Sequence, residues 1–312
     1  MESLVWNKTD SYVSNTVDFS DRFIGIFGVI LAIWVTVSNV TFIISIVRDG
    51  VRRRSLFWLL ITNLSVADAL VGVGVAPYAA LYYYKGFWIF GESFCHVWVT
   101  SDWMLGIVSI VTLIIISSER SVNIKQGSQT TTGTTKCVIV CLMMVFPWAI
   151  GAAIAIFITI VLNEVEKYQN QCYFIVEPPQ KILSPVITFF IPIFVCIGVD
   201  IGILLKWRKL TQEQDEYSRK RIVGVLLVCA AYMLMRTPFY VIFPLSAFGV
   251  YAPHKAVSVS HWLAYANSGV NPLLWLVSPE VREGYWSFVC CRGRGQQRRA
   301  EKSDEVTMSP VS

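Results

Sequence analysis

Seven stretches of this chain are each about twenty residues or longer and apolar enough to cross a bilayer. They fall at residues 23–47, 57–81, 97–118, 137–162, 182–205, 222–247 and 257–277. In hydrocarbon every backbone polar group must be satisfied internally, so only helices or a closed barrel can span. The runs are Leu/Ile/Val-rich, about twice as long as a barrel strand, and lack period-two alternation, which predicts helices. A chain that is 54% hydrophobic and 15% charged, with mean hydropathy +0.55, is not a soluble domain. The expected fold is an all-α membrane protein. It divides into an extracellular start (1–22), a seven-transmembrane helix bundle (23–277), a short amphipathic eighth helix (278–291) and a cytoplasmic tail (292–312).

Lys and Arg decide the orientation. Of 26 such residues, nineteen fall on the side of the C-terminal tail, six on the side of the N-terminus, and Arg236 lies within the sixth stretch. The positive-inside rule then puts the N-terminus outside, in a multi-pass protein of the plasma membrane. The net charge of +5 reads as this collar against lipid, with no aromatic-interleaved basic patch for nucleic acid. The polar start lacks the pattern of a cleaved signal peptide, so the first helix is expected to act as signal anchor. Asn7-Lys8-Thr9 is a glycosylation sequon on the expected outer side.

The eight cysteines divide by compartment. Cys95 and Cys172 both fall on the oxidising outer side, where a disulfide between them is expected. Cys137, Cys141, Cys196 and Cys229 lie in apolar stretches and read as small buried hydrophobes. Cys290 and Cys291 follow the eighth-helix segment, a setting for palmitoylation or for plain cytosolic thiols.

Asp102 lies inside the third stretch, seven residues or roughly 10 Å of helix beyond Cys95. A carboxylate at membrane depth is expensive unless it pairs, lines a wet cavity or binds a cation. A protonated amine is such a cation, and aromatic faces can share its charge. Trp103, Phe239, Tyr240, Trp262 and Tyr265 are candidate walls, His261 shares a helix face with Tyr265, and Phe174 is a candidate lid. Ser184 and Thr188, four apart, can meet a polar end of the ligand. Taken singly, each aromatic reads as ordinary helix packing.

An ordered set of motifs resembles the rhodopsin-like (class A) G-protein-coupled receptors. It comprises Asn39, Asn63-Leu64-Ser65-Val66-Ala67-Asp68, Trp88-Ile89-Phe90-Gly91, Glu119-Arg120, Trp148, Pro192, Pro238 and Asn267-Ser268…Asn271-Pro272. Within that family the chain looks most like the biogenic-amine group, and in its finer segments like the third and fourth histamine receptor subtypes. The resemblance implies a histamine-like amine held by Asp102 and a heterotrimeric G protein engaging Glu119 and Arg120. It also implies a sodium site at Asp68, Ser109, Asn267, Ser268 and Asn271, for which the alternative is a structural polar knot. No other cofactor is expected, and the histidines form no triad or metal motif, so no enzyme is expected.

Three departures from the family pattern stand out. Arg236 stands where tryptophan is usual, two residues before Pro238, and needs a carboxylate partner at that depth. Asp68 is favoured over Asp102 as that partner. Trp275 replaces the usual tyrosine, and Asp200 stands where most members have tyrosine. These switch changes keep a weakly coupled or decoy receptor open beside ordinary signalling.

Overall fold

Each apolar stretch is helical, and each helix overruns its hydrophobic segment by no more than a turn or two at either end. A computed structural model describes residues 19–48, 56–122, 134–161, 172, 178–208, 216–278, 281–282 and 285–286. The helices are α1 (Phe19–Arg48), α2 (Leu56–Lys85), α3 (Glu92–Val122) and α4 (Thr134–Val161). The fifth, α5, runs as Pro178–Pro185, a π-helical turn Val186–Phe190, and Ile191–Arg208. After it come α6 (Glu216–Leu245) and α7 (His254–Trp275). No strand occurs among the described residues.

The packing is inverted relative to a soluble bundle. On α1 the exposed face carries Phe23, Phe27, Ile30 and Ile33, while the buried face carries Gly25, Ser38 and Asn39. Asn63, Asp68, Ser109, Asn267 and Asn271 are all buried. An apolar exterior around a polar interior is what a bilayer requires. By length and hydropathy, six described helices qualify as spans. The 22-residue α7 does not, because its buried face is rich in Ser258, Ser260, Asn267, Ser268 and Asn271.

Helix order follows from the contacts. α1 packs on α2 and α7, α6 packs chiefly on α7, and α3 touches α2, α4, α5 and α6 from the centre. Polar side chains tie neighbours together where lipid supplies no hydrophobic drive. Asn39 donates to the Ser268 carbonyl at 2.9 Å, and Trp148 Nε1 donates to Asn63 Oδ1 at 2.9 Å. α2 breaks at Val75, before Pro77, and Trp98 Nε1 donates to the Val75 carbonyl at 3.0 Å. In α5 the N–H of Ile191 reaches back five residues to Val186. Pro192 has no N–H for the carbonyl one α-turn earlier, which favours that widened turn.

One end of the bundle is closed by aromatic packing and a disulfide. Trp88, Trp98, Cys95, Cys172, Trp262 and Tyr265 share a buried cluster, and the expected Cys95–Cys172 bond is present. Gly91, at φ 78°, makes the turn that lets Trp88 Nε1 donate to its carbonyl at 2.8 Å. Of the expected eighth helix, 281–282 and 285–286 are described, both helical, with Val281 buried. Asn7, Phe174, Cys290 and Cys291 lie outside the described residues.

Candidate functional site

Two turns of α3 inward from Cys95, Asp102 meets α7. Tyr265 Oη donates to Asp102 Oδ2 at 3.1 Å, and His261 Nε2 lies 3.7 Å from the same oxygen. The four-residue spacing puts both α7 side chains on one face. The Asp102 side chain remains 31% exposed, so a third group can still reach it. His261 stacks on Phe239 with ring centroids 5.1 Å apart, and Phe239 meets Tyr240 edge-on at 5.4 Å. Trp103 lies edge-on to Tyr240 and Phe243, each at 6.3 Å. Asp102, Trp103, Phe239, Tyr240, His261 and Tyr265 are thus joined in one chain of contacts across α3, α6 and α7.

Three predicted residues have more limited roles. Ser184 and Thr188 are buried, and their hydroxyls donate to the Gln180 and Ser184 carbonyls at 2.9 and 2.8 Å. Their oxygens can therefore accept but not freely donate. Trp262 stands behind Tyr265, edge-on at 5.6 Å, with its indole over Gly28, where a Cβ would come within 2.3 Å.

Beneath this wall is Arg236, 7% exposed. The expected pairing with Asp68 is not formed. Among the described residues Arg236 has no ion pair with either Asp68 or Asp102, although both charges act on it. Its guanidinium lies over the Tyr232 ring instead, 4.9 Å from the centroid. Gly106 leaves room for it, since a Cβ there would sit 3.0 Å from Arg236 Nη1. Tyr232 Oη in turn donates to the Gly106 carbonyl at 3.2 Å. A cation–π contact holds the charge between the two carboxylates without neutralising either.

Below Arg236 lies the polar floor. Asn271 Nδ2 donates to Asp68 Oδ2 at 2.8 Å. Asp68 Oδ1, Asn267 Oδ1 and Asn271 Oδ1 are buried with no hydrogen-bond partner among the described residues, and the buried Ser268 hydroxyl lies beside Asp68. Ser109 Oγ donates to the Leu105 carbonyl at 2.9 Å and keeps its lone pairs. A carboxylate beside several unpartnered oxygens is a hard-ligand set, and it fits a small hard cation such as sodium.

At the opposite end of α3, Glu119 accepts two hydrogen bonds from Arg120, as expected for a resting pair. Arg120 also lies over the Phe57 ring at 4.4 Å, and Trp275 packs edge-on against that ring at 6.0 Å. Trp275 Nε1 is buried without a partner among the described residues. The sequence reading passed over Phe57, Tyr232 and Gly106. Only Gly106, one turn after Asp102 on the same face, offered a signal.

The description "7 transmembrane receptor (rhodopsin family)" belongs to the family pattern that residues 38–275 match. The chain is 26% identical to the histamine H2 receptor of Homo sapiens over 90% of its length and 84% of the relative's. Against the alpha-1A adrenergic receptor of Oryzias latipes it is 24% identical, covering 85% of this chain and 66% of the relative. Against 5-hydroxytryptamine receptor 2 of Aplysia californica it is 22% identical over 96% and 82%. The finer likeness to the third and fourth histamine subtypes rested on short segments, whereas these identities run along most of the chain.

Proposed function

The chain belongs to the rhodopsin family of seven-transmembrane receptors, not to an enzyme family, and from that premise we propose a plasma-membrane receptor for a protonated small amine. Its N-terminus faces outward, as the Lys/Arg asymmetry argues, and it signals through a heterotrimeric G protein that meets Arg120 once Glu119 releases it. One observation carries the ligand class: a half-buried carboxylate whose Oδ2 already has Tyr265 and His261 beside it, within an aromatic wall. An ammonium completes that constellation by charge and by cation–π attraction. The polar end of a histamine-like ligand meets the oxygens of Ser184 and Thr188. The relatives named for histamine, adrenergic and 5-hydroxytryptamine receptors support an amine. Asp68, Ser109, Asn267, Ser268 and Asn271 would hold sodium, which supplies a counter-charge that favours the resting packing of α2, α3 and α7.

A second reading, a weakly coupled or decoy receptor, is favoured by Arg236 and Trp275. Arg236 puts a fixed cation one turn below Tyr240, and Trp275 offers no hydroxyl to order water. A radiolabelled panel of histamine, monoamines and acetylcholine, run on the parent and Asp102→Asn, tests the amine site. Equal binding by both proteins removes it. Strong agonist-driven nucleotide exchange by the parent removes the decoy.

A further inference from the structure

Away from the ligand wall, three helices bring a second set of ligating atoms together. Cys196 and Asp200 lie one turn apart on α5, and Cys229 faces them from α6. Their Sγ, carboxylate oxygen and Sγ atoms all lie within 4.8 Å of one another, and all three residues are buried. Cys196 Sγ is 3.9 Å from Asp200 Oδ2, and Ser117 Oγ of α3 is 3.4 Å from Cys229 Sγ. Asp200 is 7% exposed, and its Oδ1 has no hydrogen-bond partner among the described residues. No described Lys, Arg or His pairs with it. Thiols are weak donors, which leaves the Ser117 hydroxyl as the stronger donor beside a carboxylate at this depth.

We propose that Cys196, Asp200 and Cys229 form a zinc site, with Ser117 or a water as fourth ligand, that ties α5 to α6. Two sulfurs and one carboxylate select a borderline-soft, tetrahedral ion over the oxygen-seeking alkali and alkaline-earth cations. Zn–S bonds of about 2.3 Å and Zn–O bonds of about 2.0–2.2 Å set the ligand atoms roughly 3.5–3.8 Å apart. From separations of at most 4.8 Å, the side chains need to close by about 1.3 Å at most. Binding forms two Zn–S bonds and one Zn–O bond, and both thiols release their protons to solvent. The single negative charge of the carboxylate is then spread over a compact cluster, into which the Ser117 hydroxyl can donate. Phe189 of α5 already stacks on Tyr240 of α6 at 4.2 Å, and the ion adds a second, bonded tie between the same two helices. The site uses no residue of the amine pocket and stands independently of that reading.

The test uses the full chain in nanodiscs without a histidine tag, with Cys290 and Cys291 changed to Ser to remove the tail thiols. Cobalt(II) is expected to produce thiolate-to-metal absorption with tetrahedral d–d bands, displaced by an equivalent of zinc. Zinc is also expected to raise the thermal unfolding midpoint. Cys229→Ser and Asp200→Asn should each abolish both responses. Should those variants fail to fold, pulsed alkylation of the unsubstituted pair decides: zinc should slow labelling of Cys196 and Cys229 at least tenfold, and of Cys141 not at all. Absence of the thiolate band, its persistence in Cys229→Ser, or alkylation indifferent to zinc overturns the site.

Discussion

Tyr265 Oη donates a hydrogen bond to Asp102 Oδ2 across 3.1 Å, from α7 to α3. The carboxylate is therefore oriented before any ligand arrives, and an incoming cation meets a fixed oxygen pair. A hydrogen bond to a charged group contributes about 1.5–3 kcal/mol. Tyr265→Phe should weaken amine binding about ten- to hundredfold, and Asp102→Asn should weaken it further. Competition binding on both variants checks the order; a larger loss in Tyr265→Phe would make the hydroxyl, not the charge, the anchor.

The polar floor predicts a sodium response. In the parent, replacing sodium by a bulky organic cation at constant ionic strength should change agonist affinity. In Asp68→Asn that difference should vanish, because the charged member of the ligand set is gone. Agonist displacement curves in the two salts read this directly.

Gly106 and Arg236 are coupled by space. Gly106→Ala puts a methyl 3.0 Å from Arg236 Nη1, so the guanidinium must shift by a few tenths of an ångström against Tyr232. Overpacking of this kind costs about 1–3 kcal/mol. The thermal midpoint should fall in Gly106→Ala and recover in the double variant with Arg236→Leu. Additive losses would show that the two sites act independently.

Phe57 is predicted to restrain Arg120. Its ring is touched by Arg120 at 4.4 Å and by Trp275 at 6.0 Å, so Phe57→Leu loosens both. A cation–π contact contributes about 0.5–2 kcal/mol. Basal nucleotide exchange on a reconstituted G protein should rise about two- to thirtyfold without ligand. An unchanged basal rate with retained folding would assign the restraint to Glu119 alone.

What could be read from the chain alone follows a physical divide. Seven membrane-length apolar runs specify seven helices because hydrocarbon admits little else. Asp68 and Asn271, which the family resemblance grouped, do meet, whereas the Asn39–Ser268 and Asn63–Trp148 contacts between motif residues emerge only in the folded chain. Side chains whose place depends on the facing helix were not legible. Arg236 chooses between carboxylates only in one dimension, whereas in space Gly106 opens a third option over Tyr232. Phe57 reads as one more aromatic in an apolar run until Arg120 and Trp275 are seen on its ring. Cys196, Asp200 and Cys229 read separately as two hydrophobes and an oddity, because their meeting requires α5 and α6 to be placed.

The π turn in α5 has a torsional consequence. It holds one residue more than an α-turn, so converting Val186–Phe190 to regular helix would rotate the two parts of α5 against each other by about 100° and slide them about 1.5 Å. Ser184 lies on one side of this joint and Asp200 on the other. A ligand that grips the first would therefore set the azimuth of the second through the number of residues held in this one turn.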